Sequence, residues 1–355
     1  MTIKILQGNC LDKLKELPEK FINTCITSPP YFNLRDYQAA DQLGMEETPE
    51  EFVENLVKVF REVKRVLRDD GTVWLNLGDT FLKNKQLGCI PFKTAIGLQK
   101  DGWILRQDII WHKPNPMVES VRDRCTKAHE YIFLLSKCPK YYFDNEAIKE
   151  DSIYAPNKTN EVERAKGYYK GKYSNPEKSS RHDGSFKAIR DKRNKRSVWK
   201  VSTKNFKAAH FATFPMDLIE PCVLAGCPEK ICVDCGKPYE RVMQRPKQLE
   251  VERNKRSGLD DRKVGGVLDK YNRENPPIDL GLQKKCDCKT DKTKSGTVLD
   301  PFGGSGTTGI VANNHNRNAI LIELNKEYIE IAKNRITDQG NLFTDLQIKG
   351  EKNDR

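Results

Sequence analysis

The amino-acid sequence predicts an α/β fold built on a doubly wound, mostly parallel sheet. Strand-like and helix-like stretches alternate through the first 150 residues of the 355-residue chain and return after residue 296. Strands separated by helices favour parallel pairing, with helices covering both faces of the sheet. At residues 298–309 a strand runs through a glycine-rich turn into a helix, which is typical of α/β folds that bind nucleotides.

The N-terminal elements follow from their periodicity. Ile3–Leu6 is a short apolar strand, residues 11–17 carry leucines at helical spacing, and Ile22–Thr27 is a second strand. Thr48–Glu51 is a capping box with proline at the first helical position. Behind it, apolar residues recur at helical spacing over 52–67 and predict a long amphipathic helix.

The remaining strands predict a circularly permuted sheet. They are Thr72–Leu77, Trp103–Trp111, Tyr131–Leu135, Thr297–Leu299 and Asn318–Ile322, with a last helix around 328–336. After Glu323 the sequence has room for one helix and little more, whereas a nucleotide-binding sheet continues with further strands. We therefore expect the N-terminal half to supply them, with Lys4–Leu6 beside the strand that ends at Glu323.

The excess positive charge is confined to two segments. The chain has 62 Lys and Arg against 50 Asp and Glu, a net charge of +12. Residues 151–200 hold 14 basic and 6 acidic residues, and residues 241–295 hold 15 and 9. Basic segments on a near-neutral scaffold indicate a polyanionic partner such as nucleic acid, and two solvated loops are the alternative.

No run of about 18 apolar residues is present, which excludes a membrane-spanning helix. The N-terminus lacks the charged-then-apolar plan of a signal peptide, so we expect a cytoplasmic protein without membrane contact. In that compartment the eleven cysteines are expected to be thiols or metal ligands and not disulfides.

Five sequence blocks carry a resemblance to a known family. They are, in chain order, Ile26–Tyr31 (ITSPPY), Gly71–Asn76, Ile110–Asn115, His210–Pro215 and Asp300–Thr308 (DPFGGSGTT). In this order they closely resemble the β group of amino-DNA methyltransferases, permuted bacterial and phage enzymes that methylate exocyclic amines. The resemblance covers roughly residues 1–150 and 200–340. It implies a seven-stranded Rossmann-like sheet, S-adenosylmethionine as cofactor and double-stranded DNA as substrate.

The resemblance also assigns cofactor-binding residues by position. Those expected around the methionine part are Asp300, Pro301, Phe302, Gly304, Ser305, Gly306 and Thr307, with Phe211 and Phe214 closing over its end. Glu323, at the tip of a strand, would accept hydrogen bonds from the ribose. Asn9 stands near the expected adenine position, where the family often has an acidic residue, and this departure leaves the adenine contact open.

The catalytic residues implied by the resemblance are Ser28, Pro29, Pro30 and Tyr31. An exocyclic amine is a poor nucleophile because its lone pair is delocalised into the base, and hydrogen-bond acceptors aimed at its hydrogens stabilise the charge that develops on attack. The Ser28 hydroxyl and the Pro29 carbonyl are the natural acceptors. Consecutive prolines fix φ and so direct that carbonyl. Tyr31 offers an aromatic face to a base flipped out of the duplex.

Four cysteines have the composition of a structural zinc site. Cys232 and Cys235 form a CxxC pair followed by glycine, and Cys286 and Cys288 form a CxC pair 50 residues later. Four thiolates are the complement of a closed zinc site, so zinc is expected here in preference to unligated thiols. Cys222 and Cys227 are close enough in sequence to compete as ligands.

The predicted organisation has six parts. Residues 1–115 form the catalytic half, 116–200 a target-recognition region, 201–228 a return to the methyltransferase domain, 229–295 a zinc-ribbon insertion, 296–340 the half that binds S-adenosylmethionine, and 341–355 a tail. A homodimer and a cognate restriction endonuclease are partners that the sequence leaves open.

The Ser28 form of the catalytic motif favours cytosine-N4 over adenine-N6 methylation, and this preference depends on the resemblance because both amines pose the same electronic problem. Two other classes remain as alternatives. A nicotinamide-dependent oxidoreductase would explain the glycine pattern of Gly304, Gly306 and Gly309 but not the Ser28 motif. A non-catalytic DNA-binding module would explain the charge and the cysteines but gives no reason for a cofactor loop.

Overall fold

A computed structural model describes residues 1–34, 42–151, 192–203, 214–244, 275–340 and 344–350. The chain divides into two compact units. The larger unit comprises Met1–Ala147, Arg196–Tyr239 and Lys284–Arg355, and the smaller comprises Ile148–Lys195 and Glu240–Gln283. Within the described residues, no helix combines the length and the apolar character that crossing a bilayer requires.

The described strands and helices are numbered in chain order. The strands are β1 (Thr2–Gln7), β2 (Ile22–Thr27), β3 (Leu67–Leu77), β4 (Ile104–His112), β5 (His129–Ser136), β6 (Glu150–Asp151), β7 (Lys192–Arg193), β8 (Val198–Lys200), β9 (Ile231–Cys232), β10 (Glu240–Gln244), β11 (Ile278–Gln283), β12 (Thr293–Lys294), β13 (Thr297–Asp300), β14 (Asn318–Glu323) and β15 (Asp345–Lys349). The α-helices are α1 (Cys10–Lys15), α2 (Pro49–Val66), α3 (Ile90–Lys100), α4 (Met216–Gly226), α5 (Thr307–Asn314) and α6 (Lys326–Gln339).

The larger unit contains a nine-stranded sheet in the order β15-β1-β14-β13-β2-β3-β5-β4-β8. Pairing is parallel from β15 through β3, and β5 runs antiparallel to both of its neighbours. β1 lies beside β14, with Ile5 opposite Leu321. The mostly parallel, permuted sheet is therefore as predicted.

The sheet has two strands more than the seven expected, one at each edge. β15 pairs in parallel with β1, within the range predicted to be a tail. β8 pairs in parallel with β4, within the range predicted for target recognition. Both edge strands are short, with three residues in β8 and five in β15, so their sequences carry little periodicity by which to predict them.

Helices cover both faces of this sheet. All six residues of β2 are buried, as expected for a strand between two helical layers. Cys25 belongs to a core cluster that also contains Leu14 of α1, Phe52 of α2 and Leu98 of α3. The opposite face is closed by α4: a Cβ on its last residue, Gly226, would lie 2.9 Å from Thr24 Oγ1. Adjacent strand residues point to opposite faces, so α1–α3 and α4 lie on different sides.

The predicted capping box starts α2 as expected. Thr48 Oγ1 accepts a hydrogen bond from the backbone N–H of Glu51 at 3.2 Å, and Pro49 occupies the first turn. The helical spacing then places Phe60 and Val63 in the core, where both are fully buried. The match between cap, period and burial explains why this helix could be predicted closely.

The described part of the smaller unit consists of two strand pairs. β6 pairs with β7, where Arg193 Nε lies 2.8 Å from Glu150 Oε1, and β10 pairs with β11, where Arg241 Nη1 lies 2.7 Å from Asp279 Oδ2. Residues 152–191 and 245–274, which include most of the two basic segments, lie outside the described residues.

Candidate active site

The predicted catalytic segment and the predicted cofactor loop begin at neighbouring strand ends. β13 pairs in parallel with β2, with Leu299 opposite Cys25. At the carboxyl ends of these strands, Thr27 Oγ1 donates a hydrogen bond of 2.6 Å to Asp300 Oδ1, and both residues are buried. These residues are 273 positions apart in the sequence. Their hydrogen bond therefore joins the two halves of the permuted sheet at the edge formed by the carboxyl ends of the parallel strands.

Asp300 is a buried carboxylate that organises the start of the loop. It accepts hydrogen bonds from Thr27 Oγ1, from Thr308 Oγ1 at 2.6 Å and from the backbone N–H of Phe302 at 3.1 Å. Burial raises its pKa to about 6, although the three hydrogen bonds act to lower that pKa. The carboxylate therefore shapes the loop, and a direct contact between Asp300 and a cofactor remains a prediction.

The loop itself turns through two glycines with positive φ. Gly304 has φ +49° and Gly306 has φ +81°, a region that residues with side chains rarely adopt. A Cβ on Gly304 would have a single neighbour within 4 Å, the Phe302 carbonyl oxygen at 3.9 Å, so the space beside Gly304 is open. Phe302 and Gly304 are half-buried and border this space, while Pro301 is buried.

A buried arginine, not identified from the sequence, fixes the other side of the loop. Nη1 of Arg335 in α6 donates to the Ser305 carbonyl oxygen at 2.7 Å, to Ser305 Oγ at 2.6 Å and to Thr307 Oγ1 at 3.0 Å. The hydroxyls of Ser305 and Thr307 are thus directed at Arg335.

Glu323 joins the loop to the N-terminal strand. Its Oε2 accepts the backbone N–H of Gly304 at 2.7 Å, and its Oε1 accepts the backbone N–H of Asn325 at 2.8 Å. Burial raises the pKa of this carboxyl group. The backbone N–H of Gly8 donates to the Glu323 carbonyl oxygen at 3.0 Å, which brings Asn9 to the same edge of the sheet. Asn9 Oδ1 caps α1 by accepting the N–H of Leu11 at 2.9 Å.

A network of polar side chains surrounds the catalytic segment. Asn76 Nδ2, from β3, donates to Tyr31 Oη at 2.8 Å, to Glu130 Oε2 at 3.2 Å and to Ser28 Oγ at 3.3 Å. Tyr31 Oη in turn donates to Glu130 Oε2 at 2.7 Å. Pro29 is buried, whereas Ser28, Pro30 and Tyr31 are half-buried. The Tyr31 ring is therefore anchored through its hydroxyl and keeps part of its surface accessible.

Lys113 completes this network. It forms an ion pair with Glu130, and its Nζ lies 4.4 Å from the centroid of the Trp111 ring. Trp111 is buried and donates from Nε1 to the Val201 carbonyl oxygen at 2.8 Å, so it packs as a core residue. Asn76 and Glu130 were not singled out from the sequence, although Asn76 ends one of the family-like blocks.

The structure describes one of the two aromatic residues that are expected to close over the methionine end of the cofactor. Phe211 lies outside the described residues. Phe214 is half-buried and precedes α4, whose first residue is Met216. Their expected position over the methionine end of a cofactor remains a prediction.

The four predicted metal ligands lie together in the larger unit. The Sγ atoms of Cys232, Cys235, Cys286 and Cys288 are all within 4.8 Å of one another. Cys222 and Cys227 are buried and do not belong to this group. The cluster could hold one metal ion.

Comparison with solved structures identifies the class of fold. The chain is similar to the PvuII DNA methyltransferase (cytosine-N4-specific), with a TM-score of 0.55 and 17% identity over 98% of this chain and 96% of that one. It is also similar to TTHA0409, a putative DNA modification methylase from Thermus thermophilus in complex with S-adenosyl-L-methionine, with a TM-score of 0.51 and 21% identity over 98% and 99%. The fold is that of the α/β methyltransferases.

Sequence comparison identifies the family. The profile of the DNA methylase family of N6 and N4 methyltransferases matches residues 22–235 and 288–334. The type II methyltransferase M.Cfr9I of Citrobacter freundii is 35% identical over 94% of this chain and 87% of that relative. The chain therefore belongs to this DNA methylase family. Membership rules out the two alternative classes, the oxidoreductase and the non-catalytic DNA-binding module.

Proposed function

We propose that this DNA methyltransferase transfers a methyl group from S-adenosylmethionine to the exocyclic N4 amine of a cytosine flipped out of DNA. Family membership gives the class of reaction, and cytosine-N4 is the finer step proposed. The observation that carries the proposal is the 2.6 Å hydrogen bond between Thr27 and Asp300. It brings the glycine loop and the Ser28 segment to the same edge of the sheet.

The residues at this edge fit the cofactor. The open space beside Gly304 lets a ligand approach the backbone of the loop, as nucleotide-binding turns require. The Glu323 carboxylate has lone pairs beyond the two that accept backbone N–H groups, and these suit ribose hydroxyls. When bound, S-adenosylmethionine supplies a methyl group on a positively charged sulfur, which is a good leaving group.

Ser28 and Pro29 would orient the target amine. Ser28 Oγ accepts from Asn76 Nδ2, and its own O–H is directed at Tyr31 Oη, 3.4 Å away. This arrangement leaves a second lone pair of Ser28 Oγ for a hydrogen of the amine. The carbonyl of Pro29, held by the proline that follows, is the second acceptor. Two acceptors increase the electron density on the amine nitrogen as it attacks.

Glu130 would stabilise the charge that develops on the amine. Its carboxylate accepts the Tyr31 hydroxyl, so negative charge lies behind the segment that holds the base. The ion pair with Lys113 keeps Glu130 in place and partly balances its charge. We assign Glu130 and Lys113 positioning roles, because both act on the target through Tyr31 and Asn76.

The choice of cytosine over adenine depends on Ser28, the form of the motif that cytosine-N4 enzymes of the resembling family favour. To test the choice, the chain is expressed in a host without DNA methylation, and the DNA is digested to nucleosides and analysed by mass. N4-methylcytosine is the expected product. N6-methyladenine would overturn the cytosine assignment and keep the class of enzyme.

Two serine variants provide the matched control. Ser28→Ala is expected to slow methyl transfer by about 100-fold, the cost of one lost preorganised contact. Ser295→Ala changes a half-buried serine before β13, at the amino end of that strand, and is expected to keep the wild-type rate. Equal rates for Ser28→Ala and the wild type would overturn the proposed role of the motif.

The substrate sequence would be read by residues 116–200, whose basic side chains can neutralise phosphates. Relatives such as M.Cfr9I are type II methyltransferases, so a restriction endonuclease that recognises the same sequence is the proposed functional partner. Single-molecule sequencing of the methylated host DNA gives the modified base and its sequence context together. A nuclease encoded nearby would then be assayed on methylated and unmethylated copies of that sequence.

A further inference from the structure

The four clustered cysteines come from two chain segments that flank part of the smaller unit. Cys232 and Cys235 precede Glu240, where the chain enters that unit, and Cys286 and Cys288 follow Gln283, where it leaves. Their Sγ atoms lie within 4.8 Å of one another. Zinc–sulfur bonds of about 2.3 Å in a tetrahedron place sulfur atoms about 3.8 Å apart, so a metal ion would draw these thiols together by less than about 1 Å.

The scaffold around the cluster is also organised. β9, which contains Cys232, pairs with β12, where Thr293 lies opposite Cys232. The N–H of Gly236 donates to the Cys232 carbonyl oxygen at 3.0 Å and closes the first turn. On the other segment, Lys284 Nζ donates to the carbonyl oxygens of Cys288 and of Thr290, the latter at 2.7 Å. Hydrogen bonds thus shape each ligand pair, and the pairing of β9 with β12 holds the two segments side by side.

We propose that Cys232, Cys235, Cys286 and Cys288 bind one zinc ion that joins the two chain segments and fixes the amino end of β13. Four thiolates satisfy the tetrahedral preference of zinc without an open position, which is the pattern of a structural site. Soft thiolate ligands also exclude magnesium and calcium, which prefer oxygen.

The position of the site supports a structural role. Just after β12, the N–H of Gly296 donates to the Pro228 carbonyl oxygen at 3.1 Å, and the N–H of Thr297 donates to Asn23 Oδ1 at 2.9 Å. These contacts lie at the amino end of β13, whereas Asp300 lies at its carboxyl end, about 10 Å away along four residues. Zinc would therefore hold the strand that carries the cofactor loop from the end opposite to the chemistry.

Metal analysis of the full chain tests the proposal. The protein is purified with neither added zinc nor chelator, and bound metals are measured by mass spectrometry. We expect about one zinc per chain. The double variant with Cys286→Ser and Cys288→Ser should lose it, and Cys125→Ser, which changes an exposed cysteine outside the cluster, should retain it.

A thiol titration of the wild type covers the case in which the double variant fails to fold. Titration with a mercurial reagent should release one zinc ion for every four thiols modified. The released zinc is followed with a zinc-sensitive dye. Removal of the metal should also lower the melting temperature by about 5 °C or more. Protein without bound metal, with all four thiols free or in disulfides, would overturn the proposal, as would iron in place of zinc. Metal content is independent of methyl transfer, so failure of the proposed function would leave this result standing.

Discussion

The hydrogen bond between Thr27 and Asp300 is the contact most worth perturbing, because it joins the catalytic and cofactor halves of the sheet. Thr27→Val keeps the shape of a buried β-branched side chain and removes the hydroxyl. Asp300 then loses one of three hydrogen bonds while it remains 1% exposed. A lost hydrogen bond to a buried charge costs about 1.5–3 kcal/mol, whereas one between neutral groups costs about 0.5–1.5 kcal/mol.

The protonation of Asp300 makes this cost depend on pH. Burial raises its pKa from 3.8 to about 6 in the folded protein. A raised pKa means that the folded state holds the proton more tightly, so stability from this group is full below about pH 4 and falls by about 3 kcal/mol as pH rises through 6. At pH 8 Asp300 is ionised and needs the Thr27 hydroxyl most. At pH 5 it is mostly protonated and needs it less.

We therefore expect Thr27→Val to cost about 1 kcal/mol more at pH 8 than at pH 5. Urea unfolding of the wild type and the variant at both pH values measures this cost. Subtracting the two unfolding free energies at each pH removes the contribution of all other titrating groups, which the two proteins share. Thr24→Val is the matched control: Thr24 lies on the same strand and bonds Thr72 Oγ1 at 2.9 Å, with no charged partner. Its cost should be the same at both pH values. Equal pH dependence in the two variants would refute the reasoning.

Three further variants probe the site. In Gly78→Ala the new Cβ would lie 2.5 Å from Tyr31 Cε2, so single-turnover methylation should slow by about tenfold or more, while cofactor affinity by calorimetry stays within about twofold. Glu130→Gln keeps the shape of the side chain but removes the charge that accepts the Tyr31 hydroxyl. It should lower kcat by about 10- to 100-fold with little change in the free energy of unfolding. An unchanged kcat would remove Glu130 from the mechanism. Arg335→Met removes three hydrogen bonds to the loop. It should lower the free energy of unfolding in urea by about 2 kcal/mol or more and weaken cofactor binding. Wild-type stability and affinity in this variant would show that the loop keeps its conformation without Arg335.

Local signals in the sequence predicted most of the fold. The cap and period of α2, the strand-like stretch of β2 and the glycine turn after β13 each occupy fewer than about 20 consecutive residues. The permutation followed from counting the strands available after Glu323, and β1 does lie beside β14. The edge strands β8 and β15 were missed because they owe their structure to pairing with a neighbour and not to their own pattern.

The candidate site also contains residues that short motifs predicted and residues that only the fold revealed. The motifs located Ser28–Tyr31, the glycine loop and the cysteine pairs, since each is a short run of residues with a fixed chemical use. Glu130 and Arg335 carry no such signal, whereas Lys113 lies in the family-like block Ile110–Asn115. A glutamate, a lysine or an arginine in a sequence is most often a solvated surface residue, and its burial is visible only in the fold.

By itself, the sequence determined where turns, helix caps and buried segments lie and in what order the strands are encoded, because these properties depend on neighbouring residues. Only the tertiary structure decided that Tyr31 is anchored by Glu130, 99 residues away, and that Thr27 is joined to Asp300. Hydrogen bonds and ion pairs act over about 3 Å in space whatever the separation along the chain. The partners of a polar side chain are therefore set by how the strands pair.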